Sequence, residues 1–342
     1  MMGSKTLLLV IAAQLVAMSG LARGEEVETF AKVHTINLYV GYTPGGSYDF
    51  YARLFARHVG KHLPGNPTVV VQNMPGAGGL AAANYLYAVA PRDGTALGML
   101  SQTVAIDEAL AAPGIRYKSA EFNWIGRMTS TIEVTMTWHN SKVKTIEDAR
   151  TQEVVLASTG PGSALDSYPR VLVDTAGVKF KLVRGYKGAT EAMLAMEKGE
   201  TEGSGGTWQT LKVSKRDWIE NNMINILLQY TQTRSPELPN VPAAPELAKT
   251  PEDRKLLEFY LSAGEIGRAF VAPPRLSPNL VAELRAAFAA TMQDPELLAE
   301  VERAKTEFYP LPGAELQQLV LKTLNVSPKL GARVQELLQA VK

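Results

Sequence analysis

The chain has 342 residues, a formal net charge of +1 and no cysteine. The even charge balance gives no basic footprint for nucleic acid and no acidic tail, and the missing thiols exclude disulfide staples, thiolate metal sites, thiol catalysis and a lipidated cysteine anchor. The length suits two domains of ordinary size.

Residues 1–24 read as a secretory leader, because Lys5 precedes an apolar run and Ala22-Arg23-Gly24 offers small residues where a leader is cleaved. The run is too short to span a bilayer, where roughly 20 apolar residues are needed. A cleaved chain without an anchor is retained only behind an outer barrier, which predicts a periplasmic protein.

From residue 35 onward strand and helix signals alternate at short intervals, the pattern of stacked βαβ units around largely parallel sheets. Strands are predicted over 36–40, 68–71 and 95–100. Helices fall between them over 47–63, where Phe50, Leu54, Phe55 and Val59 recur at helical spacing, and over 80–89. A second cycle begins after residues 132–138, with a helix near Ile146, a strand over 153–157, a helix over 168–175 and a strand over 180–183. Helices over 190–198 and 207–221 and a strand over 224–229 complete it. A loop with four prolines follows over 235–245, then a helix over 251–262 and a strand over 267–272. The remaining segments, 278–292, 295–305, 313–324 and 327–341, are amphipathic helices with no strand to build a third domain, and are expected to pack back on the first.

Strand-to-helix turns carry the chemistry in such a fold. In an open α/β sheet ligands sit beyond the carboxyl ends of the strands. Glycine there lets a ligand approach the backbone, and the following helix contributes about half a positive charge at its N-terminus. An anion is the natural guest. Four turns fit, two in each half: Pro44-Gly45-Gly46-Ser47, Pro75-Gly76-Ala77-Gly78-Gly79, Ser158-Thr159-Gly160-Pro161-Gly162-Ser163 and Tyr186-Lys187-Gly188-Ala189. Any one alone is by default only a tight connection. Those of the first half lack the Lys-Ser or Lys-Thr of a P-loop and the spacing of a dinucleotide fingerprint, so no phosphate cofactor is expected. The hydroxyls of Ser47, Ser158, Thr159 and Ser163 can cap their own helices or bond a carboxylate.

The run Gly41-Tyr42-Thr43-Pro44-Gly45-Gly46-Ser47-Tyr48-Asp49, then Val71-Gln72-Asn73 with Pro75-Gly76-Ala77-Gly78-Gly79, then Asp93-Gly94, resembles the signature of the extracytoplasmic receptors of tripartite tricarboxylate transporters, also called Bug proteins. Tyr186-Lys187-Gly188, the 194–199 segment, Pro239-Asn240-Val241-Pro242, Ala272-Pro273-Pro274 and Asp294-Pro295 are similar to that family in the same order. The resemblance implies an α/β type II periplasmic-binding fold of two lobes, 25–130 with 266–342 and 131–265, that close on a small carboxylate and deliver it to integral-membrane transporter subunits. By position, Tyr42, Thr43, Pro44, Gly45, Gly46, Ser47 and Asp49 form the first clamp. Gly76, Ala77, Gly78, Ser101, Gln102 and Thr103 lie beside it, and Ser158, Thr159, Gly160, Gly162, Ser163, Tyr186, Lys187 and Gly188 form the facing loops. One departure is Gly199-Glu200-Thr201-Glu202-Gly203, where the family commonly has Gly-Glu-Val-Asp-Gly. It is followed by Trp208, which is either core or a wall for an apolar part of the ligand.

His58 and His62 stand four apart on one helix, but no third ligand is near in sequence and Lys61 adds repulsion, so they read as a solvated face. Asp49 and Lys187 are an acid and a base without a nucleophile motif; bracing a helix end and neutralising an anion suit them better than catalysis. The sequence therefore predicts a monomeric, non-enzymatic receptor without metal or cofactor. A ligand-sensing module of a signalling system and an exported α/β enzyme stay open beside it.

Overall fold

The computed structural model describes residues 30–161, 163–325, 330–333 and 336. The leader assigned to residues 1–24 and most of the last expected helix lie outside the described residues. In chain order the elements are β1 (Thr35–Val40), α1 (Ser47–Val59), β2 (Thr68–Asn73), α2 (Leu80–Ala88), β3 (Ala96–Met99), α3 (Val104–Ala109), β4 (Asn123–Arg127), β5 (Glu133–Trp138), α4 (Ile146–Thr151), β6 (Val154–Ala157), α5 (Ala164–Ala176), β7 (Phe180–Val183), α6 (Ala189–Glu197), β8 (Gly203–Thr207), α7 (Trp208–Ser214), α8 (Arg216–Glu220), β9 (Ile224–Tyr230), α9 (Pro251–Ile266), β10 (Ala269–Ala272), α10 (Pro278–Thr291), α11 (Pro295–Ala304), β11 (Leu311–Pro312) and α12 (Gly313–Leu324). No helix among the described residues is long and apolar enough to cross a membrane.

The strands form two sheets, ordered β11-β4-β10-β3-β1-β2 and β7-β6-β8-β5-β9, each the centre of one lobe. β1 carries Ile36, Leu38 and Val40 on one face, and these pack beneath Leu54, Phe55 and Val59 of α1, so period two meets period 3.6 in one core. The expected parallel βαβ pairs are present, β1 with β2 and β3, and β6 with β7, and β6 also pairs in parallel with β8. Antiparallel strands extend both sheets: β10 lies between β3 and β4, and β5 lies between β8 and β9. These are the strands at the two crossings between lobes, and a chain that crosses over and returns arrives in the opposite direction.

Four elements lie outside the pattern reading, α3, β4, β8 and β11. The β8 sequence Gly-Ser-Gly-Gly-Thr is a fully buried strand, although glycine disfavours strands. Its glycines answer to close packing: a Cβ on Gly203 would stand 2.4 Å from the Met136 carbonyl oxygen. β4 carries no assignment in the sequence reading, yet it supplies the surface on which α10 and α12 of the tail pack. The tail thus folds back on the first lobe, with Leu280, Leu284 and Phe288 in the β1–α1 core.

At the crossings the two connecting segments lie side by side. Met128 N donates to Arg268 O at 3.1 Å, and Arg268 N donates to Thr129 O at 2.9 Å. Gly267 is required there: its φ is +58°, and a Cβ would meet Thr129 O at 2.1 Å.

Candidate functional site

The turn between β1 and α1 projects from the first lobe toward the second. Asp49, one turn into the helix, accepts from Gly45 N at 3.0 Å and is held by Arg53 Nε at 3.0 Å and Asn73 Nδ2 at 3.0 Å. Burial raises this carboxyl's pKa, but the hydrogen bonds from Arg53, Gly45 and Asn73 outweigh it and hold the group below the usual carboxylate range. Asp49 therefore fixes the shape of the turn from behind. Asn73 also donates to Tyr42 O at 2.9 Å, which ties the turn to the neighbouring strand.

Across the cleft the second lobe brings α7 onto this turn. Ser47 N, at the start of α1, donates to Thr210 Oγ1 at 3.0 Å, and Ser214 Oγ donates to Gly45 O at 3.3 Å. The helix-start amide expected to bind an anion is thus held by a hydroxyl oxygen from the facing lobe. Farther along α7, Lys212 Nζ donates to Glu307 Oε1 of the first lobe at 3.0 Å, and Gln209 Nε2 bonds the other oxygen of that carboxylate. Gly188 meets Thr43 so closely that a Cβ would stand 2.4 Å from its hydroxyl.

Between these contacts lies a cavity of about 30 Å³, room for little more than one or two waters. Tyr42, Thr43, Gly46 and Ser47 line it from the first clamp, and Thr159, Ala164, Leu165 and Ala189 from the loops of the second lobe. A solute with a carbon skeleton enters only when the lobes part. The structure is accordingly the closed arrangement of a two-lobed cleft, with three of the four anticipated turns meeting at one place.

The fourth turn stands back. Gly78 O accepts from Tyr42 Oη at 2.8 Å, so this turn holds the Tyr42 hydroxyl, and Gly76, Ala77 and Gly78 do not reach the cavity wall. Ser101 backs the same side chain and bonds Thr103 Oγ1 at 2.8 Å. Pro44 and Gly45 lie exposed at the rim. In the second lobe Ser158 Oγ turns to Asp166 at 3.4 Å, and Ser163 Oγ donates to Gly160 O at 3.0 Å, so neither caps α5. Gly162 lies outside the described residues. Tyr186 packs on Ala157, Ala192 and Ala195. The Lys187 side chain is exposed and outside the cavity wall, while its N–H donates to Glu191 at 3.0 Å. Trp208 belongs to a core cluster and donates to Glu237 at 2.7 Å, which settles it as core.

Sequence reasoning missed the charged floor of the cleft. Glu133 starts β5 and Arg268 precedes β10, so the two crossings bring together residues far apart in the chain. Both line the cavity. Arg268 is fully buried; its Nε donates to Ser47 Oγ at 2.7 Å and its Nη1 to Gln102 Oε1 at 3.1 Å, and its guanidinium lies 3.8 Å from the centre of the Tyr48 ring. Nη2 stands 3.8 Å from Glu133 Oε1, with no hydrogen-bond partner among the described residues. Gln102 Nε2 donates to Glu133 Oε1 at 3.3 Å. Burial pushes the Glu133 carboxyl up to about 7, against the opposing pull of Arg268 and Gln102. Thr207 and Thr210 complete the wall. A signal was available: a single charged residue inside each of the apolar runs Thr131-Ile132-Glu133-Val134 and Ile266-Gly267-Arg268-Ala269.

The histidine pair is corrected. His58 is buried, its Nε2 2.9 Å from Glu300, and His62 Nε2 is 2.7 Å from Asp294, so α11 covers the face that the sequence leaves to solvent. Lys61 Nζ lies 2.7 Å from both Asp294 and Glu296. The ammonium answers these carboxylates, and the cluster ties α11 to α1.

Comparison with known proteins agrees with this architecture. The model of the tripartite tricarboxylate transporter family receptor matches residues 51–336. A Cupriavidus necator relative named UPF0065 protein in gbd 5'region is 26% identical over 309 residues, covering 86% of this chain and 87% of its own. The solved periplasmic binding protein BugD is similar with a TM-score of 0.70 at 21% identity, over 89% of this chain and 97% of its own. An R. palustris protein solved with adipate gives 0.70 at 20% identity, over 90% and 98%. At these identities the solved structures establish a common fold, and the family match covers most of the sequence: the chain belongs to the tripartite tricarboxylate transporter receptor family.

Proposed function

We propose that this protein is a periplasmic receptor that closes its lobes on a small carboxylate and presents the closed form to integral-membrane transporter subunits. The observation that carries the reading is the meeting of opposed turns. The N-terminus of α1 from one lobe and those of α5 and α6 from the other converge on one cavity, where helix-start amides favour a negative charge. The residues that hold the solute are Thr43, Gly46, Ser47, Thr159 and the start of α6. Asp49, Gly76, Ala77, Gly78, Ser101 and Gln102 act behind them. The lobes are residues 25–130 with 266–342 and residues 131–265, and they move about the paired crossings at 128–132 and 267–268.

A carboxylate that replaces the Thr210 hydroxyl on Ser47 N, while bonding the facing loops, binds the closed arrangement better than the open one and so shifts the population toward it. The adipate in the R. palustris neighbour supports a carboxylate as the class of solute. A thermal-shift screen of the purified protein against mono-, di- and tricarboxylates and aromatic acids tests the reading: at least one should raise the melting temperature, and Gly46→Val should abolish that rise while leaving the fold intact. If no member of such a panel stabilises the protein, the carboxylate is the wrong solute.

A further inference from the structure

The cavity wall contains one acid and one base, and the base is already engaged. Arg268 directs Nε to Ser47 and Nη1 to Gln102, rests on Tyr48, and faces Glu133 with Nη2. The nearby Lys212 is held by Glu237 and Glu307. The other donor in the wall without a hydrogen-bond partner among the described residues is neutral, the hydroxyl of Thr43. Glu133 is 4% exposed, and Gln102 supplies its hydrogen bond.

Charge arithmetic then limits the solute. Above about pH 7, where Glu133 is ionised, the Arg268–Glu133 pair sums to zero, and each helix start facing the cavity offers about half a positive charge. One carboxylate can be balanced by opposed helix starts. A second would enter a dry site whose one cation already faces a standing carboxylate, where like charges repel far more strongly than in water. A group that donates a hydrogen bond, above all an ammonium, would instead be welcomed by the remaining lone pairs of Glu133.

We propose that Glu133 is the specificity-determining residue of this cleft, selecting solutes with a single carboxylate, and preferably a donor or ammonium group beside it, against di- and tricarboxylates. This assignment rests on the receptor reading above and narrows its solute class. The raised pKa of Glu133 fits the same surroundings, since the groups facing it are Arg268, Gln102 and the neutral phenols of Tyr42, Tyr48, Tyr168 and Tyr230.

The test is isothermal titration of the purified protein with matched series in which only the second end group changes: caproate, ε-aminocaproate and adipate; butyrate, γ-aminobutyrate and succinate; benzoate, para-aminobenzoate and terephthalate. In the series that binds, the monocarboxylate or its amino form should bind about tenfold or more tighter than the dicarboxylate at about pH 8.5. Glu133→Gln keeps the shape and the Gln102 contact, and should narrow that gap about tenfold by strengthening dicarboxylate binding. Lowering the pH of the unmodified protein to about 6 should narrow the gap in the same direction, which keeps the test open if the variant fails to fold. A dicarboxylate that binds as tightly as its monocarboxylate partner overturns the role of Glu133 and leaves the receptor reading standing, as does a variant that shifts both probes alike. Silence from all nine probes overturns the receptor reading, and this assignment with it.

Discussion

Gly188→Val separates closure from folding. Gly188 has φ −175° and ψ 173°, extended backbone that any residue adopts, so the substitution imposes no strain within its own lobe. The three atoms nearest to an added Cβ all belong to Thr43 of the other lobe: the hydroxyl at 2.4 Å, the amide nitrogen at 3.4 Å and Cβ at 3.6 Å. The hydroxyl can rotate aside, but the Thr43 backbone cannot retreat, because Asn73 and Asp49 pin the turn on either side. Overpacking of this kind costs about 1–3 kcal/mol, and here it falls on the closed arrangement alone. Binding of a carboxylate that stabilises the unmodified protein should weaken roughly 5- to 150-fold, since 1.4 kcal/mol is a factor of ten. Titration calorimetry measures the loss, and small-angle scattering should show that the carboxylate no longer compacts the variant. A double-mutant cycle with Thr43→Ala should recover part of the affinity. A Gly188→Val protein that binds and compacts like the unmodified one would refute the contact as part of closure.

Arg268→Met should destabilise the fold by about 3–5 kcal/mol in urea denaturation, because it strands buried Glu133; adding Glu133→Leu should recover much of that loss, and no recovery would mean that the two side chains do not interact. Gly203→Ala should lower stability by about 1–3 kcal/mol in thermal melts followed by circular dichroism, since its Cβ meets the Met136 carbonyl in the sheet interior. Burial raises both Glu133 and Asp107 to about 7 in the folded protein, from ordinary values of 4.5 and 3.8. The folded state then holds more protons than the unfolded one between those limits, so these two groups favour folding at about pH 4 and lose that contribution as the pH rises through about 7. Between about pH 5.5, where the carboxylates held low in the folded protein are ionised in both states, and about pH 7.5, melting temperatures should fall less steeply in Glu133→Gln than in the unmodified protein; an unchanged profile would show that Glu133 titrates normally.

The alternation of strands and helices was readable because each short apolar run is bounded by glycine or proline, and the first clamp was readable because its turn lies within a few residues of sequence. What could not be read locally was anything that depends on the crossings. β5 and β10 run against the parallel strands of their sheets, and nothing in their composition states a direction. β8 hid behind its glycines, whose purpose is visible only once Met136 and Leu165 lie against them. The same holds for the site. Gly46, Ser47 and Thr159 lie on turns whose chemistry is local, Thr43 enters only by the family resemblance, and Glu133, Arg268 and Thr210 reach the cavity through tertiary placement. Lys187 misled because a lysine beside a glycine turn suggests an anion partner, but its side chain leaves the turn toward solvent.

The most direct test of the account is a crystal structure of the protein with a carboxylate that raises its melting temperature. The account predicts carboxylate oxygens within about 3 Å of amide nitrogens in the 43–47 turn and of donors in the 158–164 loop or the 188–189 turn, with Thr210 displaced from Ser47. A carboxylate held by one lobe alone, or lodged outside the cleft, would contradict it.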